Sequence, residues 1–405
     1  MAEPRVVTVG DRIVLWRGLR GWSQRQLADF SGLSAGFIGM LEAGQRQLNR
    51  RRDLYALADA LQCTPEDLTG EPFVPGDPDE ARAYSAIPDL RVALLDSSVD
   101  DPPDVPVRPL AEVRRDIELS QQQWTAGRYD SFGPRVPRLL DEVHALAADP
   151  DERTARAALA ALVETNYLAY VLAKGLGHPD LALLAGLHAY EAAVRSGDPT
   201  LIGFASWVHV MGLERAGARR RAPKVAAAAL ARMEPHAGAS DEAAQVYGML
   251  HLLSGLLAAR FEDRPLSDAH LAEADALAVR TGKGNAFQLH FGPTNAAMWR
   301  VESAVELGEG PRGQQIAADV DPTAVASPTR EADFCLVLGR GLAQREDGAR
   351  DREALRLFLR AERLASHKVH NDPLVRGIVK GMATRDRSGN VDLRSFARRI
   401  GVGAE

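Results

Sequence analysis

Two serines, Ser23 and Ser34, each open a run of residues whose types could do chemistry together. A serine before a helix accepts a hydrogen bond from an unpaired backbone N–H, and Gln26, three residues after Ser23, can return one. Leu27, Ala28 and Phe30 supply apolar positions for a first short helix. Ser31-Gly32-Leu33 makes the turn, because Gly32 tolerates positive φ and Leu33 can drop into a core. Ser34 then caps a second helix with Phe37, Ile38 and Leu41 at helical spacing, and Gly44 is placed to stop it. Two short helices joined by a tight turn make a helix-turn-helix. Its second helix enters the DNA major groove while the first crosses the backbone, so double-stranded DNA is the expected partner. No competing chemistry has the residues it needs. There is no Gly-rich phosphate loop, no His-Glu-x-x-His and no nucleophile elbow. His367 and His370 at i, i+3 lack further ligands, and Cys63 and Cys335 are too few for a disulfide framework or a Cys-based zinc site. No catalysis, metal or cofactor is expected.

The elements that must position this motif are also legible. Ile13, Leu15, Trp16 and Leu19 suggest a preceding helix. Leu54, Leu57, Ala58 and Leu61 suggest a fourth, and Thr64-Pro65 opens a fifth ending near Leu68. Residues 10–69 therefore read as a small five-helix domain. They resemble the Cro/cI-type (XRE family) helix-turn-helix domains, through Ser23-Gln24, Leu27-Ala28, Gly32, Ser34, Ile38, Glu42, Gly44 and Arg46. The resemblance implies that Ser23 and Gln24 face a phosphate, that Ser34, Ala35, Gly36 and Gly39 lie along the groove, and that Arg46 meets the backbone or the minor-groove edge. With Arg25, Phe37 and Arg50 these make the expected DNA-binding set. Arg12, Arg17, Arg51 and Arg52 are further phosphate candidates. One departure stands out. Ala35, Gly36 and Gly39 carry no hydrogen-bonding side chain where the family often has one, and direct readout needs such groups. Base reading should fall to Ser34, methyl contacts from Ala35, and Gln45 or Gln47 from the next loop, with selectivity leaning on DNA shape and half-site spacing.

Charge agrees with a local rather than global DNA footprint. Residues 1–70 hold nine Arg, no Lys and eight Asp plus Glu, a balance of +1, within a chain of net −6. DNA affinity should be modest and salt-sensitive. No 18-residue uncharged apolar stretch reads as membrane-spanning, and residues 243–259 contain Gln245, His251 and Ser254. With no signal-peptide core and two cysteines, a reducing cytoplasm is the expected location.

Residues 71–109 carry eight prolines and read as a linker, with a short amphipathic helix through Ile87, Leu90, Leu94 and Leu95. From 110 to 405 the pattern is all helical, and helix pairs begin near 110, 155, 198, 241, 287 and 328. A recurring step of about 41 to 46 residues predicts an α-solenoid that senses or dimerises. Trp124-Thr-Ala-Gly127-Arg-Tyr129 and Ala354, Phe358 and Ala361 resemble parts of tetratricopeptide (TPR) repeats. The expected fold is thus all-α: a five-helix DNA-binding domain, then a TPR-like solenoid. Four i, i+4 pairs recur near this step: Asn166/Tyr170, Trp207/Met211, Tyr247/His251 and Asn295/Trp299. Each pair shares one helix side, which suits a concave site for an apolar small molecule or a peptide. The plainer reading is that these side chains pack between helices. The segment from Phe291 to Glu302 resembles actinobacterial XRE regulators with TPR-like C-terminal domains, and the architecture is similar to the peptide-responsive RRNPP group. That resemblance implies a homodimeric, effector-responsive regulator on a pseudo-palindrome. An adaptor whose repeats recruit a protein to DNA is the alternative.

Overall fold

The computed structural model describes residues 8–70, 78–281, 284–344, 348–386 and 389–402, and every regular element among them is helical. Five helices form the head: α1 (Val9–Leu19), α2 (Gln24–Ser31), α3 (Ala35–Glu42), α4 (Arg51–Leu61) and α5 (Pro65–Thr69). Next come α6 (Pro78–Tyr84), α7 (Ala86–Asp96), α8 (Leu110–Thr125), α9 (Tyr129–Phe132) and α10 (Val136–Ala147). The long pairs are α11 (Glu152–Gly175) with α12 (Pro179–Ser196), α13 (Pro199–Arg215) with α14 (Ala222–Met233), and α15 (Asp241–Arg260) with α16 (Arg264–Thr281). The chain continues through α17 (Pro293–Glu306), α18 (Gly310–Ala317), α19 (Pro328–Leu342), α20 (Asp351–His370), α21 (Pro373–Arg385) and α22 (Val391–Arg399). Local chemistry fixes many of the starts. Asp151, Asp198, Ser240 and Asp372 each accept backbone N–H groups at the first turn of α11, α13, α15 and α21. Three of those four, Asp151, Asp198 and Ser240, fall within four residues of the expected pair starts near 155, 198 and 241.

The chain divides into two compact units. In one, covering residues 78–300 and 320–331, helix pairs stack in chain order. The first helices of successive pairs touch one another, α8 on α11, α11 on α13 and α13 on α15, and each second helix packs between them. This is the repeat-like arrangement that a step of some 43 residues predicts. Its core joins Phe132, Leu162, Tyr167, Phe204, Leu250 and Phe291, among others. Beyond residue 77 the proline-rich segment is part of this unit. Ile87, Leu90 and Leu94 of α7 are buried, Leu95 is exposed, and α7 packs on α10. Arg108 ties the segment's end down: its Nη2 and Nε donate to Glu142 (2.7 and 3.1 Å) and its Nη1 to Asp116 (2.7 Å). Pro72 and Pro75 lie outside the described residues.

The other unit joins the head to residues 301–319 and to the helices from α19 to α22. Its head core holds Ile13, Leu27, Ile38, Leu41, Leu54, Leu57 and Leu68, and also Leu374 of α21. A second core binds α19 to α22 through Phe358, Val379 and Phe396. Among the described residues no helix is long and apolar enough to cross a membrane.

Candidate nucleic-acid interface

The turn between α2 and α3 is built by the residues that announce it. Ser23 Oγ accepts the Gln26 N–H (3.3 Å), and Gln26 Oε1 accepts the Ser23 N–H (2.8 Å), closing a capping box. Gly32 ends α2 at φ 72°, a left-handed conformation that a side chain would strain. Ser34 Oγ accepts the Phe37 N–H (3.2 Å) and starts α3. Behind the motif α1 crosses α3 so closely that a methyl group on Gly10 would overlap the Leu41 carbonyl.

Glu42 locks the three helices together. Its carboxylate accepts Arg17 Nε (2.7 Å), Arg17 Nη2 (3.0 Å) and Gln24 Nε2 (2.7 Å). The Arg17 guanidinium also donates to the Trp22 carbonyl (2.7 Å), and its pKa is raised, first by the hydrogen bond to Glu42. Glu42 belongs to the sequence pattern, but its pairing with an arginine 25 residues away leaves no local sequence signal. Gln24 therefore braces α2 against α3 with the amide that the resemblance aims at a phosphate.

The other site residues fall into two groups. Ser23, Arg25, Ser34 and Gly36 are exposed. Gln24, Ala35, Phe37, Gly39, Arg46 and Arg50 are half-buried. A methyl built on Gly36 meets nothing within 4 Å, so packing does not demand that glycine and the groove end of α3 is open as well as bare. Gly39 differs, since a methyl there would press on the Gln24 amide at 3.3 Å. Arg46 lies over the Phe37 ring (4.8 Å to the centroid). The phosphate face is smaller than the arginine count suggests. Arg12 donates to the Asp67 carbonyl, Arg50 to Asp53 (2.8 Å), and Arg51 and Arg52 are buried. Buried guanidinium groups are not open to DNA, so Arg51 and Arg52 leave the candidate set.

Residues 9–69 match the family of helix-turn-helix domains. No curated protein and no solved structure matches the chain. The chain thus carries a helix-turn-helix domain of the kind found in DNA-binding regulators, with Ser34 and Gly36 at the start of α3 exposed.

In the repeat unit, Asn166, Tyr170, Trp207, His251, Asn295 and Trp299 are buried, whereas Met211 and Tyr247 are half-buried. Tyr167 is the hub of an aromatic cluster, edge-on to Trp124, Phe204 and Trp207 at 5.1 to 6.1 Å. Asn166 Nδ2 donates to the Leu162 carbonyl, one turn back in α11. Asn295 uses both ends of its amide internally, donating to the Leu289 carbonyl (3.1 Å) and accepting from Arg330 Nε (2.7 Å). The segment before it is strained: Phe287, Gln288 and His290 all have positive φ. It is held by the Phe287–Phe204 stack at 4.4 Å and by Gln245 Oε1 accepting the Ala286 N–H. Asn166 Oδ1, Trp207 Nε1, Trp299 Nε1 and His251 Nε2 are buried and meet no hydrogen-bond partner among the described residues. His251 lies 3.1 Å from His270, and burial, then the neighbouring imidazole, lower its pKa to about 4.

Proposed function

We propose that this protein is a sequence-specific DNA-binding transcriptional regulator of the XRE type. It acts as a homodimer on a pseudo-palindromic operator, and its TPR-like repeats answer an effector. The observation that carries the reading is the exposed groove end of α3, at Ser34 and Gly36, framed by a capped and buttressed α2. A helix presented that way fits the major groove. Residues 1–70 are the DNA-reading head in this reading, and Ser34, Ala35, Arg25 and Arg46 do most of the contacting. Selection from a random DNA library with the full chain tests it. A selected palindrome whose preferred bases change in Gly36→Arg supports the reading; unchanged preferences place α3 outside the groove.

An effector is favoured over a pure adaptor by the polar atoms of Asn166, Trp207 and Trp299, which are buried without hydrogen-bond partners among the described residues. Burying such atoms unpaired costs about 1–3 kcal/mol each, and a bound amide, whose N–H can donate to Asn166 Oδ1 and whose oxygen can accept an indole N–H, would recover part of it. Native mass spectrometry against denaturing mass detects a co-purified effector. An Asn166→Ala, Trp207→Phe variant that keeps the same adduct would remove these residues from the site.

A further inference from the structure

The head is gripped a second time, from the far end of the chain, and the grip falls on the segment that follows the groove helix. Arg51 opens α4. Its backbone N–H donates to Glu306 Oε2 (3.1 Å), and its Nη2 donates to Asp372 Oδ2 (2.8 Å). Glu306 Oε1 in turn accepts both Nη atoms of Arg340 (3.2 and 3.3 Å). Asp372 Oδ1 caps α21, accepting the Leu374 and Val375 N–H groups. Buried Asp53, paired with Arg50 and Arg52, adjoins this network and its charge acts on Glu306, and the central pair is almost wholly enclosed, Glu306 at 0% and Arg340 at 2% exposure. Around this network the contact is apolar and close. Leu374 is buried in the head core, and a methyl on Gly381 would strike Gln47 Cγ at 2.8 Å. Gln47 is thereby occupied against α21, which leaves Gln45 as the glutamine of that loop open to DNA. The grip does not cover the reading face, since Ser23, Arg25, Ser34, Gly36 and Gln45 stay exposed with α21 in place.

We propose that Glu306, Arg340 and Asp372 are positioning residues for DNA recognition. They hold the first turn of α4, and with it the loop at 43–50, so that the head moves as one body with α19 to α22. The separation of two heads in a dimer is then set by this unit. This proposal rests on the DNA-binding reading above. Buried charges fit the role because such a pair loses far more when broken than an exposed one, and so tolerates few alternative poses.

The test uses the full chain with Glu306→Gln and Asp372→Asn together, an isosteric pair that removes both anions. Asp333→Asn, which breaks an ion pair with Lys368 in the same unit, is the control. DNA selected by the wild-type protein is rebuilt with one to four base pairs inserted between half-sites. The wild-type protein and the control should lose at least tenfold in affinity on insertion, whereas the double variant should lose less than threefold. Amide exchange at residues 51–54 should accelerate at least tenfold in the double variant. If the double variant fails to fold, Gly381→Val pushes chiefly on Gln47 Cγ (2.8 Å), leaves Glu306, Arg340 and Asp372 in place and should relax spacing in the same way. Spacing discrimination that survives once exchange shows the contact has opened overturns the proposal. So does a double variant that binds the original site more tightly, which would make the contact a restraint on binding. A wild-type protein that selects no DNA sinks the DNA reading alone. The grip then stands or falls on exchange at Arg51, and unchanged protection overturns it.

Discussion

Replacing Glu42 by alanine should loosen the DNA-binding head without abolishing its fold. The carboxylate accepts three hydrogen bonds, two from the Arg17 fork and one from Gln24, and its side chain is 7% exposed against 19% for Arg17. Hydrogen bonds to charged groups contribute about 1.5–3 kcal/mol each, and breaking a buried pair costs about 3–5 kcal/mol. Arg17 keeps the Trp22 carbonyl and some access to water, so the low end applies, about 3 kcal/mol. That is roughly two decades in the opening equilibrium. Native-state amide exchange should therefore show protection in α2 and α3 falling about 100-fold. Glu42→Gln, which retains an acceptor oxygen, should cost about 1 kcal/mol. A head of ordinary stability stays mostly folded after such a loss, so DNA affinity should fall less than tenfold. Protection in α2 and α3 that changes less than threefold in Glu42→Ala would refute the claim that this carboxylate holds the motif together.

Three further outcomes follow from single features. Ser34→Ala removes the cap of α3 and should cost about 1 kcal/mol, read as faster exchange at the Phe37 N–H; unaltered exchange means the cap contributes nothing. Gln288→Gly should raise the thermal midpoint, because a non-glycine residue at φ 57° costs about 1 kcal/mol; a lowered midpoint means the surrounding contacts outweigh that strain. Acid should destabilise the repeat unit early. Burial lowers the pKa of His144 to about 4, and burial with His270 does the same for His251. Both fold as neutral rings while the unfolded chain takes up protons below about 6.5, so their stability is complete above that pH and drains away towards 4. Each contributes up to about 3 kcal/mol over that window. Melting midpoints that do not fall between pH 6.5 and 4.5, or that fall as steeply in His144→Phe, contradict the assignment.

Local chemistry was legible in the sequence, and long-range pairing was not. Ser23 with Gln26, Gly32 and Ser34 act within a few residues of one another, so their spacing alone specifies the two caps and the turn. The helix pairs were readable for the same reason: Asp198-Pro199 and Ser240 stop and start helices through their own side chains. What the chain conceals is how its ends meet. Arg51 looked like a phosphate ligand because an arginine run beside a DNA-binding motif usually stays in water, yet its partners lie 255 and 321 residues away. Phe30, an apolar position in the motif, is exposed and stacks on Trp22 at 4.5 Å. Leu15 and Leu19, two of the apolar residues that suggest α1, are likewise exposed while Ile13 is buried. Periodicity marks an apolar face and leaves open which residues along it a short helix can cover.

The most direct measurement is selection from random DNA with the purified full chain, followed by footprinting of the selected site with the wild-type protein and with Ser34→Ala, Arg25→Ala. A two-fold symmetric footprint is expected, with affinity reduced at least tenfold by the paired change and a shallower salt dependence from the lost Arg25 contact. No sequence-selective footprint, or one that the paired change leaves untouched, would contradict it.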